Sequence, residues 1–248
     1  MARIAFLNTK IDNLTMNQAI EEIDRLIVNP KNAYLVTPNL DHIVFLEEDE
    51  EFRRVYDNAD LILADGKPLI WISKYLKKPI VEKVSGSDMF PRVCEMAAQK
   101  GYSIYILGAA QGVAAKAADE LVMAYTGLKI VGTFSPAYGF EKDQEELHSV
   151  IQRIRDAHPD ILAVSLGSPK GEKFIYKYFD ELNVPMSMSI GATIDFIAGN
   201  VQRAPKWMSD HGLEWLYRTM KEPGRLAKRY WKDARAIIPI IRKYKKER

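Results

Sequence analysis

An aspartate at the end of an apolar run is the residue in this sequence best suited to acid–base chemistry. Asp65 follows the apolar run 61–64 and precedes Gly66. A carboxylate at the end of a buried strand is partly desolvated, which raises its pKa toward working pH and suits it to general base catalysis. The same residue could instead form an Asx turn or cap the next helix. Asp65 is therefore a candidate base with a structural alternative.

Other apolar runs also end in glycine or small polar residues. In open α/β sheets, ligands bind outside the carboxyl ends of the strands, and glycine there lets backbone amides approach an anion. Ordinary β–α turns favour the same residue types, but five such ends together favour a nucleotide or sugar-phosphate site. Thr37 and Asn39 could bind a ligand rich in hydroxyls or form the turn at Pro38. The predicted strand ends lie at Thr37, Asp65, Gly108, Gly167 and Gly191.

Segments with helical spacing alternate with these runs. The segment 144–157 is apolar at every third or fourth position, and Thr15 with Gln18 forms a capping box before 19–28. This alternation predicts an α/β fold, a Rossmann-like parallel sheet with helices on both faces. The predicted strands are 34–36, 61–64, 103–107, 129–131, 161–166 and 186–190, and a further helix is predicted at 113–125.

The last part of the chain is strongly basic. Residues 201–248 hold fourteen Lys/Arg against five Asp/Glu, although the whole chain has a net charge of only +2. We expect a catalytic core at 1–195 and a basic helical appendage at 196–248, with helices at 206–220 and 225–245, the second broken or kinked near Pro239. A basic aromatic end suits an anionic membrane surface, and a solvated helical tail is the alternative. The apolar residues expected to enter the membrane are Trp231, Ile237, Ile238, Ile240 and Ile241.

Several classes of protein are disfavoured. Cys94 is the single cysteine, which favours a reducing, cytoplasmic compartment and a packed thiol. No apolar run approaches the roughly 20 residues of a membrane span, so we expect a protein that is soluble or peripherally bound. The dinucleotide fingerprint, the Walker A loop, a Cys/His cluster and an Asp-x-Asp pair are all missing, so neither a cofactor nor a metal is expected. Surface or packing roles are expected for His42, His148, His158 and His211.

Short motifs follow one another along nearly the whole chain, and Gly212-Leu213-Glu214-Trp215-Leu216-Tyr217-Arg218 is the most specific. The set resembles the WecG/TagA/CpsF family of bacterial glycosyltransferases. The other motifs are Thr37-Pro38-Asn39, Ala64-Asp65-Gly66, Gly86-Ser87-Asp88, Gly108 before an alanine-rich helix, Gly167-x-Pro169-Lys170-x-Glu172, Gly191-Ala192-Thr193-x-Asp195-Phe196-x-Ala198-Gly199 and Arg203-Ala204-Pro205, with Arg225 and Arg229.

The resemblance implies transfer of a sugar from a UDP-sugar, usually an N-acetylhexosamine or its uronic acid, to a polyprenyl-diphosphate-linked saccharide. It implies that Asp65 is the base and that arginines of the appendage neutralise the diphosphate, as a metal does elsewhere. Asp88 could instead simply cap a helix at 89–99. The expected catalytic residues are Asp65, Thr37, Asn39, Arg218, Arg225 and Arg229. The expected substrate-binding residues are Gly66, Ser87, Asp88, Gly108, Gly167, Lys170, Gly191, Asp195 and Lys228.

One position departs from the family pattern. The family has Pro-Lys-Gln-Glu where this chain has Pro169-Lys170-Gly171-Glu172. The missing carboxamide predicts a roomier pocket and a preference shifted from N-acetylmannosamine toward a hexose or a uronic acid. In the alternative, a neighbouring side chain or water fills the gap at Gly171 and specificity is unchanged.

Two other functions remain open from the residues alone. A nucleotide-dependent dehydrogenase or epimerase would use a similar sheet, but the cofactor fingerprint it needs is missing. A non-catalytic nucleotide-binding module could use its basic tail on nucleic acid. We expect a UDP-sugar, a lipid-linked acceptor and an anionic membrane as partners, with no nucleic acid and with self-association possible.

Overall fold

Six parallel strands form the central sheet. The computed structural model describes residues 3–221 and 223–246, without the side chains of residues 206, 210, 218, 225, 229 and 246. Five of the strands are buried along their whole length, as expected when helices cover both faces of a parallel sheet. The order across the sheet is β4 (Leu61–Ile62), β3 (Ala33–Val36), β8 (Met186–Ser189), β7 (Ile161–Ser165), β5 (Ser103–Gly108) and β6 (Lys129–Phe134).

The two faces of the sheet support separate hydrophobic clusters. Alternate residues of β5 divide between them, with Ile104 and Ile106 in one cluster and Tyr105 and Leu107 in the other. One face is covered by α1 (Met16–Ile27), α5 (Gly86–Lys100), α6 (Val113–Ala124) and α10 (Thr193–Ile197). The other face is covered by α2 (Leu40–Glu48), α3 (Glu50–Asp57), α4 (Lys67–Tyr75), α7 (Gln144–Ala157), α8 (Lys170–Lys177) and α9 (Phe179–Leu182), with a 3₁₀ turn at Phe140–Lys142.

The α/β fold with helices on both faces is the predicted one. Helix α7 has the predicted bounds, and the capping box at Thr15 and Gln18 is present, although its helix already begins at Met16. Strand β4 is shorter than predicted because only Leu61 and Ile62 pair with β3. The amide of Leu63 still donates a hydrogen bond of 3.1 Å to the carbonyl of Val36, and Ala64 then accepts a hydrogen bond from the amide of Val84.

An N-terminal hairpin is an addition that the sequence did not reveal. Strands β1 (Arg3–Phe6) and β2 (Thr9–Asp12) pair antiparallel, and a salt bridge of 2.8 Å joins Arg3 to Asp12. Asp12 also accepts a hydrogen bond of 2.9 Å from the amide of Ile62. The carboxylate thereby fixes the hairpin to the edge strand β4.

The basic appendage consists of α11 (Lys206–Asp210), α12 (Glu214–Lys221) and α13 (Pro223–Lys246). The prediction of one helix over 206–220 is wrong because the chain turns at Gly212, where φ is +73°. A Cβ atom on Gly212 would lie 2.9 Å from the ring of Trp71, so only glycine fits this turn. The predicted break at Pro239 is also absent, since α13 continues through this exposed proline, where water can serve the carbonyl that loses its partner.

Helix α13 packs on the core through α2. Ile237 and Ile240 are buried in the cluster beneath it, and Lys243 lies 3.0 Å from Glu47 of α2. The prediction that both isoleucines enter a membrane is therefore wrong, because their side chains are already buried within the protein. Trp231 and Ile238 are 68% and 50% exposed.

Within the described ranges, no helix is both long enough and apolar enough to cross a bilayer. Cys94 is fully buried on α5, and burial raises the pKa of its thiol, which agrees with the predicted packing role.

Candidate functional site

The loops after β3 and β4 meet at the carboxyl edge of the sheet. The amide of Asp65 donates a hydrogen bond of 2.8 Å to the carbonyl of Pro38, which joins the two loops. Asp65 is partly buried, and Thr37 is only 7% exposed. The structure thus brings two of the predicted catalytic residues onto neighbouring loops at the expected edge.

Asn39 has a structural role in the same loop. Its side-chain oxygen accepts a hydrogen bond of 3.2 Å from the amide of His42 and so caps α2. This is the turn-forming role that the sequence left open for Asn39. The capping bond uses the carboxamide oxygen, so a ligand contact would use the NH₂ group of the side chain.

Asp88 is an ionised anchor and does not precede its helix. Helix α5 begins at Gly86, so Asp88 lies inside its first turn and the prediction that it caps a helix at 89–99 is wrong. Its carboxylate accepts hydrogen bonds of 2.6 Å from both Lys83 and Ser85, and another from Arg203. Burial opposes ionisation, but these donors lower the pKa of Asp88 to about 2. The ionised carboxylate of Asp88 therefore links the core to the start of the appendage, where Arg203 lies.

A polar cleft of about 440 Å³ lies beside this anchor. Lys67 follows Asp65 by two positions, and Lys83 precedes Val84, whose amide binds the strand end at Ala64. The cleft thus borders the loop of the candidate base. Its charged lining residues are three cations and two acids, so its walls carry a small excess of positive charge. It is lined by Thr15, Met16, Asn17, Lys67, Glu82, Lys83, Asp88, Arg92 and Ser209.

The glycine-rich strand ends pack closely against one another. At Gly108, where φ is +110°, a Cβ atom would lie 2.4 Å from the carbonyl oxygen of Ser165. The hydroxyl of Ser165 donates a hydrogen bond of 2.6 Å to the carbonyl of Gly191. These contacts join the ends of β5, β7 and β8, so Gly108 is needed for the packing of the sheet edge whether or not a ligand approaches it.

The remaining predicted residues are spread over several surfaces. Lys170 forms a salt bridge of 3.0 Å with Glu141, and burial raises the pKa of the partly buried Asp195. Lys228 lies on an exposed part of α13. Three of the residues predicted to be catalytic have side chains outside the part of the structure that is described, namely Arg218, Arg225 and Arg229. Gly66 and Gly167 lie in the loops that follow β4 and β7, and Ser87 lies in the first turn of α5.

A buried polar network beneath these loops was missed by the sequence analysis. Glu172 on α8 is 4% exposed, and its Oε1 accepts a hydrogen bond of 3.0 Å from the hydroxyl of Ser189. The Nε2 atom of His42 lies 4.0 Å from the same oxygen, and the Nδ1 atom is 2.7 Å from the hydroxyl of Tyr56. The Oε2 atom of Glu172 has no hydrogen-bond partner among the described residues.

Burial raises the pKa of Glu172 to about 7, although the hydroxyls of Ser189 and Ser168 favour its charged form. One sequence signal could have revealed the position, because Glu172 shares the buried face of α8 with Phe174 and Ile175. An acid among apolar positions of a helix needs a partner or a proton.

Gly171 packs against this network. A Cβ atom there would lie 3.0 Å from the hydroxyl oxygen of Ser189 and 3.5 Å from a methyl of Val164. The missing glutamine therefore leaves no open space at the backbone, because Ser189 occupies the neighbouring volume. This packing agrees with the alternative in which a neighbouring side chain fills the space at Gly171. The predicted change in substrate preference stays a prediction.

The comparison with known proteins identifies the family. The model of the family described as "Glycosyl transferase WecG/TagA/CpsF family" matches residues 4–248. The chain belongs to this family. The resemblance inferred from the short motifs is thereby confirmed, and the protein is a glycosyltransferase.

Two curated relatives carry the same description. An N-acetylglucosaminyldiphosphoundecaprenol N-acetyl-beta-D-mannosaminyltransferase of Bacillus spizizenii is 32% identical over 195 residues, which cover 79% of this chain and 74% of the relative. A protein of the same description from Staphylococcus aureus is 26% identical over 230 residues, covering 91% and 88% of the two chains.

No group of three or more His, Cys, Asp or Glu side chains in the described part of the chain could hold a metal ion.

Proposed function

We propose that this protein transfers a sugar from a UDP-sugar to a saccharide linked to polyprenyl diphosphate. The donor sugar is N-acetylmannosamine, its uronic acid or another hexose. The observation that carries the proposal is the position of Asp65, at a strand end beside a cleft with Lys67, Lys83 and Arg92 on its walls. The curated relatives support the acceptor class, because their names specify a diphosphoundecaprenol-linked sugar.

The proposed reaction is a single displacement with inversion at the anomeric carbon. The carboxylate of Asp65 removes the proton of the acceptor hydroxyl while that oxygen attacks the anomeric carbon. The bond between this carbon and the diphosphate oxygen breaks on the opposite face, and UDP leaves with the electron pair. Thr37 and the NH₂ group of Asn39 orient the sugars.

The leaving diphosphate gains negative charge as this bond breaks. In the proposal this charge is stabilised by cations of the protein, so that no divalent ion is needed. Lys67 and Arg92 line the cleft, and Arg218, Arg225 and Arg229 of the appendage complete the set. Lys83 is already paired with Asp88, so we assign it mainly to holding the loop.

The appendage brings the active site to the acceptor. The acceptor is anchored in a bilayer, and the appendage has a net charge of +9 over residues 201–248. Basic residues near an anionic surface each contribute about 1 kcal/mol of attraction. We therefore propose peripheral binding to the inner face of the membrane, with Trp231 and Ile238 as exposed apolar contacts.

The test is a direct assay with a panel of UDP-sugars and a short-chain polyprenyl-diphosphate-linked N-acetylglucosamine acceptor. We expect one UDP-sugar to give a disaccharide product whose new linkage has the anomeric configuration opposite to that of the donor. The Asp65→Asn variant is the control for background transfer. A product with retained configuration would contradict the single displacement, and absence of product with every UDP-sugar would contradict the proposed donor class.

A further inference from the structure

Helix α4 presents aromatic side chains to solvent from the core of the protein. Trp71 and Tyr75 are 52% and 59% exposed, while Leu69 and Leu76 are buried in the core cluster. The two aromatic residues are four positions apart and therefore share one face of the helix. Such a face is apolar enough to need a partner, although the rest of the helix is well packed.

The same helix is basic. The segment 66–81 contains four lysines and no aspartate or glutamate. Lys74, Lys77 and Lys78 are exposed. Lys74 follows Trp71 by three positions and so lies beside the aromatic face. Lys77 and Lys78 follow the end of the helix at Tyr75, and Lys78 donates a hydrogen bond of 3.1 Å to the carbonyl of Ala5. The exposed aromatic residues of α4, with the lysines on the helix and directly after it, form an amphipathic surface with a single sign of charge.

We propose that α4 is a membrane-contact element of the core, separate from the appendage. Tryptophan and tyrosine favour the depth of the lipid headgroups, where an apolar ring and a polar tip are both satisfied. Lysines beside them attract anionic lipid phosphates. A second copy of the chain fits this face poorly, because a symmetric contact would bring lysines together with no acidic partner on the helix.

The structure connects this face to the appendage at both ends of α4. Near its start, Trp71 packs at the turn of Gly212, where an added Cβ would lie 2.9 Å from the ring. Near its end, the Nζ atom of Lys245 lies 2.7 Å from the hydroxyl of Tyr75 and 4.3 Å from the ring centroid. The aromatic face of α4 is therefore continuous with the basic helices.

Contact through helix α4 would also orient the candidate site relative to the membrane. It begins at Lys67, two positions after Asp65, so a membrane bound to α4 lies close to the loop of the candidate base. This orientation presents the site to an acceptor whose diphosphate lies at the bilayer surface. The biological purpose of the surface rests on the proposed function, but its binding test uses neither substrate.

The first experiment measures co-sedimentation with vesicles of phosphatidylcholine containing phosphatidylglycerol. The variant is Lys74→Glu/Lys77→Glu, and the matched control is Lys31→Glu/Lys116→Glu, which makes the same charge change at exposed positions away from α4. We expect the α4 variant to bind roughly tenfold more weakly or worse, while the control stays within about threefold of the wild type. Equal losses in both variants would overturn the proposal, because net charge alone would then explain binding.

The second experiment measures the fluorescence emission of Trp71. In a variant with Trp207, Trp215 and Trp231 replaced by phenylalanine, anionic vesicles should shift the emission of Trp71 to shorter wavelength, and lipids with a quencher near the headgroup should reduce it. Unchanged emission in a variant that still binds vesicles would overturn the proposal. A dimer in solution that Trp71→Ser converts to a monomer would also overturn it, since a second copy would then cover this face. Transfer of the sugar to a water-soluble acceptor needs no membrane, so it tests the proposed function independently of membrane binding by α4.

Discussion

Replacing the buried Glu172 with glutamine should remove a pH dependence of folding stability. Folding raises the pKa of Glu172 from 4.5 to about 7, chiefly because the carboxyl is buried. An acid whose folded-state pKa is raised stabilises the protein fully below the unfolded pKa, and this contribution is lost as the pH rises through the folded pKa. The wild type should therefore lose stability between about pH 4.5 and pH 7 through this group.

The size of this loss of folding stability follows from the pKa shift of Glu172. Each pKa unit corresponds to about 1.4 kcal/mol, so the wild type should lose roughly 2–3 kcal/mol between pH 5 and pH 8 through Glu172. Glutamine has nearly the same shape and can still accept the hydrogen bond from Ser189. The stability of Glu172→Gln relative to the wild type should therefore rise by this amount over the same range.

The assay is denaturant unfolding of both proteins at several pH values from 5 to 8. The difference between the two free energies of unfolding isolates Glu172, because the other titrating groups are common to both proteins. The control Glu120→Gln changes an exposed carboxylate on α6, and its difference should stay within about 0.5 kcal/mol. A constant difference for Glu172→Gln would refute the reasoning. A difference that falls with pH would show that the ionised carboxylate is the stabilising form, paired with His42.

Three further outcomes are expected. Asp65→Asn should bind the UDP-sugar normally, as measured by calorimetry, but turn over roughly 10²–10⁴-fold more slowly; near-normal turnover at saturating substrates would exclude it as the base. Gly171→Gln should lower the melting temperature, because its Cβ would press on the Ser189 hydroxyl that donates to Glu172; if the donor ranking by kcat/KM is the same as in the wild type, Gly171 does not set specificity. Removing residues 201–248 should weaken vesicle binding to the part that α4 supplies, and it should lower the stability of a still folded core, since α13 covers part of the cluster on α2; equal vesicle binding by the truncated chain would contradict the role of the appendage.

The sequence alone determined the features that depend on local spacing. The apolar period of 144–157 and the capping pair Thr15/Gln18 predicted their helices because both signals arise within one or two turns of chain. The position of Asp65 at a strand end follows from the alternation of strands and helices in a parallel sheet. The ordered motifs likewise indicated the family, which the comparison then confirmed.

The tertiary structure decided which distant residues meet. Asp88 becomes an anchor because Arg203 reaches it across the fold, and Glu172 becomes a buried acid because α8 packs beside His42 of α2. Ile240 looked like a membrane contact in the sequence but packs onto the core. Each result depends on residues that are far apart in the chain. Local periodicity shows which residues avoid water, but only the packing of whole elements decides what covers them.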